Sequence, residues 1–160
     1  MNVRRHPLGA VLALVVSLLT ACATVSPTGD ATEKSARAFA TTFLRAFENL
    51  DMATFIACFA TDATVFLPDP DPPMRYDGQG AIRDYFQSVF DEIKGDSMAG
   101  PPYHRLNPEL LRVQVLDDDA AVITFHMTGP GRVARRTLVL HRQGGRWLIA
   151  HLHASNGVAR

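Results

Sequence analysis

The sequence predicts an α+β fold, with three N-terminal helices packed on a curved, mainly antiparallel sheet. Three observations carry that expectation. Phe39, Phe43 and Phe47 recur every four residues, the period of one helical face. From Tyr103 onward the apolar period changes to two, the alternation of half-buried strands. The connections between those later segments are short and rich in Gly, Asp and Pro, so consecutive strands fold back as hairpins.

The elements follow in order. The chain opens MNVRRHPLGAVLALVVSLLTAC, in which Arg4 and Arg5 precede an apolar run from Leu8 to Leu19 and small residues follow. That is the grammar of a secretory signal. The run is about a dozen residues where a membrane span needs roughly 20, so a cleaved leader is expected. Leu19-Thr20-Ala21-Cys22 resembles the lipobox of bacterial lipoproteins, in which the cysteine is acylated and becomes the new N-terminus. Residues 1–21 are therefore read as a lipoprotein signal peptide and residues 22–30 as a tether. Cys22 is the lipidation site, and its lipid makes the membrane a partner. Ala23, not aspartate, follows the cysteine, which implies the periplasmic face of the outer membrane in a Gram-negative host.

Asp30-Ala-Thr-Glu33 reads as a capping box opening the first helix, whose apolar stripe adds Ala36, Ala40 and Leu50 to the phenylalanines. Asp51 caps a short second helix, MATFIACFA, burying Phe55, Ile56 and Phe59. DATVFLP is a first strand, stopped by PDPDPP, where prolines forbid a central strand or helix. Met74–Tyr76 is a second strand. Asp77-Gly-Gln-Gly80 turns into a third helix with Ile82, Phe86, Val89, Phe90 and Ile93 on one face. Four strands follow near 109–117, 120–128, 133–142 and 146–154. The domain spans 31–155, and 156–160 form a tail.

About 140 residues remain after the leader, enough for one domain with a full core. With Cys22 lipidated, Cys58 is the only other thiol, so no disulfide staples the fold. Losing Arg4 and Arg5 leaves 14 basic against 16 acidic residues, a net charge of −2. The remaining arginines are scattered, which argues against nucleic acid as a partner.

Alternation divides each strand into two sets. In the last strand Leu148, Ala150, Leu152 and Ala154 form one set, and Trp147, Ile149, His151 and His153 the other. A three-residue turn at 143–145 sets Leu138 opposite Ala150 and Thr137 opposite His151. The apolar face then holds Leu138, Leu140, Ile123, Phe125 and Met127 and packs on the helices. The mixed face holds His126, Thr137, Trp147, Ile149, His151 and His153 and suits an oligomer interface. A one-residue bulge would exchange these faces.

The succession FLRAFENLDMATFIACFATDATVFLP, GQGAIRDYFQSVF, RLNPELLRVQVLDDDAAVITFHM and RWLIAHLHAS resembles the NTF2-like superfamily. It is similar to the SnoaL-like domains and to the association domain of calcium/calmodulin-dependent kinase. The resemblance implies a cone in which the sheet wraps the first helix around a pocket. It also implies homodimers or larger rings through the outer sheet face. The pocket lining expected from it is Phe43, Phe47, Phe55, Phe59, Phe66, Tyr76, Ile82, Phe86, Phe125, Met127, Arg136, Leu138 and Leu152.

The family contains enzymes, whose catalytic positions have counterparts in this sequence. The general base of ketosteroid isomerases falls on Leu67, their oxyanion tyrosine on Phe43, and their protonated aspartate near Thr137. A proton shuttle needs a titratable base and an electrophilic donor, and the first two positions are hydrocarbon. The charged pocket positions of the kinase domain fall on Ile82, Met127, Leu138 and Ala154, all apolar. Arg136 alone brings a charge to the apolar face by parity. It could clamp a ligand carboxylate, pair with a nearby acid, or extend its head into water. His151 and His153 lack a patterned carboxylate or cysteine beside them, and zinc takes three or four ligands. No catalytic residue, metal or cofactor is therefore assigned.

The expected function is a lipid-anchored domain that binds a small hydrophobic or amphipathic molecule in an apolar pocket. One alternative is a SnoaL-like cyclase, isomerase or dehydratase using His104, Asp69 or Tyr76. Another is a structural lipoprotein docking a partner through its outer sheet face.

Overall fold

In the computed structural model, which describes residues 27–68, 74–96 and 100–158, the phenylalanine stripe lies on α1 (Pro27–Glu48). Ala36, Ala40, Phe43 and Leu44 are buried along it. The helix begins before the expected capping box, so residues 27–30, read as tether, are helical. Asp30 stands in the first turn, where a carboxylate suits the positive end of the helix dipole. Leu50, at φ 53°, reverses the chain. Asp51 then caps α2 (Met52–Ala57) by accepting the Thr54 amide at 3.0 Å. The Thr54 hydroxyl first, and then its amide, hold the Asp51 carboxyl below its ordinary pKa by hydrogen bonding.

Strands β1 (Phe59–Phe66) and β2 (Arg75–Asp77) precede α3 (Gly78–Asp96), which buries Ile82, Phe86 and Phe90. The three helices are therefore not one N-terminal block, because two strands intervene. The Gln79 side chain donates to the Ile56 and Phe59 carbonyls at 3.0 and 3.1 Å, tying the start of α3 to the α2–β1 junction. The chain continues through β3 (Glu109–Val115), β4 (Ala120–Gly129), β5 (Arg132–Gln143) and β6 (Arg146–Val158).

The six strands form one curved sheet in the order β2-β1-β6-β5-β4-β3. All neighbours run antiparallel except β1 and β6, which are parallel. A parallel neighbour requires a long crossover, here everything from β2 to β5. The helices cover one face of the sheet. Phe43, Phe55 and Phe59 meet Ile123, Leu138, Leu140 and Ile149 in a single core.

Strand β6 does not keep the single parity that unbroken alternation predicts. Gln143 pairs with Arg146, so the hairpin loop is only Gly144-Gly145. Both glycines have positive φ, 55° and 76°, as a two-residue type I′ turn requires. The register then shifts between Leu140↔Ile149 and Val139↔His151, leaving Ala150 as the extra residue of a bulge. Beyond it, Leu138 opposes Leu152 and Thr137 opposes His153. Trp147 and Ile149 consequently face the helices and are buried at 7% and 0% exposure. They belong to the core and not to an interface with His151 and His153.

Candidate functional site: an apolar cavity under the sheet

Three helices converge on the concave side of the sheet without filling it. The cavity they leave measures about 210 Å³. Helices supply Phe43, Leu44 and Phe47 from α1, Phe55 from α2, and Tyr85, Phe86 and Val89 from α3. The sheet supplies Phe125 and Met127 from β4, Arg136 and Leu138 from β5, and Leu152 and Ala154 from β6. Leu67, Pro68 and Leu106 complete the wall. Ring contacts fix its aromatic side: Phe43 stacks on Phe55 at 5.2 Å and Phe55 meets Phe86 edge-on at 4.7 Å.

Leu106 reaches the wall because the end of α1 captures its loop. The Glu48 carbonyl accepts the Tyr103 and His104 amides, and the Glu48 carboxylate accepts the Leu106 amide at 3.0 Å. The His104 ring packs against Phe47 and is not part of the lining.

Arg136 is the one charged side chain among the described lining residues. It stands between Phe125 on β4 and Ala154 on β6. Its Nη1 donates to the Arg135 carbonyl at 2.8 Å and to the Ser155 carbonyl at 3.4 Å. No described carboxylate lies within ion-pair distance of it. Burial lowers its pKa, and the nearby Arg132 adds to the effect. An arginine nevertheless keeps its proton in a protein.

Of the residues named from the sequence, Phe43, Phe47, Phe55, Phe86, Phe125, Met127, Arg136, Leu138 and Leu152 border this cavity. Phe59 and Ile82 lie in the packed core, 1% and 0% exposed, and do not reach the cavity. Phe66 is on the outer face, its ring against His151 and His153. Tyr76 packs on Tyr85 with centroids 4.5 Å apart and stays off the wall. Leu44, Pro68, Tyr85, Val89 and Leu106 line the cavity as well, as do Leu67 and Ala154, which the resemblance sets at an isomerase-base and a kinase-domain pocket position. Val89 was legible from the helical face it shares with Phe86; Pro68 and Leu106 are loop residues without a period. The positions aligned with an isomerase base and oxyanion donor, Leu67 and Phe43, both sit on the wall as hydrocarbon.

The outer face carries the remaining candidates. His151 Nδ1 lies 2.7 Å from the Thr64 hydroxyl, and burial followed by the His153 charge lowers its pKa. His153 faces Thr137 across the ladder, and His126 approaches Glu109 at 3.3 Å. Trp147, on the inner face, donates its indole N–H to Ser35 at 2.6 Å while the Arg142 guanidinium lies 4.4 Å from the ring centre. Burial pushes the Cys58 thiol up to about 11, and it donates to the Thr54 carbonyl, as a core residue does. Among the described residues no group of three or more His, Cys, Asp or Glu is placed to hold a metal ion. Cys22, the leader, Asp69 and Asp71 lie outside the described residues.

Solved structures share this architecture. An NTF2-like protein of unknown function from Pseudomonas putida is 23% identical, with a TM-score of 0.65 over 79% of this chain and 87% of its own. A cystatin-like fold protein from Burkholderia xenovorans is 16% identical, with a TM-score of 0.65 over 81% and 95%. A ketosteroid isomerase-like protein from Erwinia carotovora is 19% identical, with a TM-score of 0.62 over 78% and 95%. Among functionally curated proteins none matches this chain in sequence. The SnoaL-like domain family matches residues 36–159, most of the chain, and the chain therefore belongs to the SnoaL-like family of NTF2-like folds.

Proposed function

We propose that this protein is a binding module whose cavity takes a small hydrophobic or amphipathic molecule without turning it over. The observation that carries this reading is the composition of the wall. Hydrocarbon surrounds about 210 Å³ of space, and Arg136 and Tyr85 are its only polar side chains among the described residues. Neither is a general base at neutral pH. In this reading lipid on Cys22 holds the domain at the periplasmic face of an outer membrane. Two copies pair through the outer sheet face around Thr137, His151 and His153, which the helices leave uncovered.

A second reading is turnover of the isomerase or dehydratase kind. The Tyr85 hydroxyl favours it, because a phenol on an apolar wall can polarise a carbonyl. Native mass spectrometry separates the readings. Binding predicts a dimer that retains a reproducible small-molecule mass. A protein that carries no adduct, and converts a carbonyl substrate with a bell-shaped pH profile lost in Tyr85→Phe, would overturn it in favour of catalysis.

A further inference from the structure

We infer that the cavity selects a small monocarboxylate, held by Arg136 at its head and by the phenylalanine-lined wall along its apolar tail. The inference rests on the binding reading above and names the ligand class. Both hydrogen bonds of the guanidinium leave from Nη1. Nε and Nη2, with three N–H groups between them, have no protein partner among the described residues. They form the planar edge that a carboxylate meets with two parallel hydrogen bonds.

Charge bookkeeping narrows the class further. One cation on an apolar wall neutralises one negative charge. A phosphate dianion would leave a second charge uncompensated in hydrocarbon, which is strongly unfavourable. A neutral ligand would give the Nε and Nη2 donors of the half-buried guanidinium no charged acceptor. A monoanion with an apolar body satisfies both sides. Size follows from the cavity of about 210 Å³. An enclosed apolar cavity of about 150 Å³ holds benzene, so this one accommodates roughly eight non-hydrogen atoms, the size of hexanoate.

The test is a matched pair of probes, hexanoate and hexan-1-ol. They are titrated calorimetrically into the full chain in lipid nanodiscs, with heats from protein-free discs subtracted. Hexanoate is expected to bind roughly 10- to 100-fold more tightly than the alcohol, the range of a charge-assisted pair. Arg136→Met should erase that difference, so that the two probes bind the variant alike. Arg136→Lys, which keeps the charge and loses the fork, should retain part of it and remains informative if the methionine variant does not fold. Equal binding of the two probes to the parent would overturn the carboxylate assignment while leaving the pocket reading intact. No binding of either probe would overturn both.

Discussion

At the scale of single residues, burial acts on His151 and Cys58 through the same physics and with opposite sign. Both prefer their neutral forms, so the thiol rises to about 11 and the imidazole falls below its ordinary value of 6.5. For His151 the repulsion from His153 adds to burial. The consequence for stability follows from proton counting. Below about pH 6.5 the unfolded chain takes up a proton that the folded histidine resists. Its contribution is therefore complete above that pH and is lost as pH falls toward the folded pKa. His151→Gln removes the linkage. Its melting temperature should fall less than the parent's between about pH 7.5 and about pH 5. Identical falls in the two proteins would show that the imidazole at this place is not resisting charge.

At the scale of elements, the β5–β6 hairpin shows what periodicity can and cannot convey. The existence of both strands was legible from alternation, and so was the membership of Leu138, Leu140, Leu152 and Ala154 in the inner face. The side taken by Trp147 and Ile149 was not. Whether Gln143 joins the ladder or the loop shifts the register by one, and the composition of Gln-Gly-Gly fits either count. The bulge that restores parity falls at Ala150, a residue type with no turn or bulge signature. Loop residues such as Leu106 owe their place to capture by Glu48, a tertiary contact with no sequence period. Phe66 is a different case, because β1 alternates with Val65 buried and Thr64 partly exposed, so strand parity puts Phe66 outside.

The bulge can be tested directly. Deleting Ala150 forces either Trp147 and Ile149, or Leu152 and Ala154, to the outer face. Exposing a tryptophan and an isoleucine costs about 4 kcal/mol by area, and the Trp147–Ser35 bond is lost with them. Ala150→Gly keeps the residue count and should cost at most about 1 kcal/mol. Urea unfolding midpoints compare the two variants. If the deletion were tolerated as well as the glycine, the extra residue would not be what holds Trp147 inside.

At the scale of the whole molecule, the cavity is the feature that stability alone does not explain. Hydrocarbon cores are packed to crystal density, and an unfilled space costs about 24 cal/mol per Å³. For about 210 Å³ the upper bound is therefore roughly 5 kcal/mol, and an opening to solvent reduces it. A domain's whole stability is about 5–15 kcal/mol, so the space is a substantial concession by the fold. A larger side chain at Ala154 would remove it without new polar chemistry, because Ala154 lines the cavity and is 5% exposed. Ala154→Leu is expected to raise the melting temperature by a few degrees, roughly what 1 kcal/mol supplies in a domain of this size, and to abolish the retained small-molecule mass. Stability and binding would then move in opposite directions, the signature of a cavity kept for a ligand. A fall in melting temperature would mean that leucine overpacks its neighbours, and that the space beside Arg136 is too small for the tail of a hexanoate-sized acid.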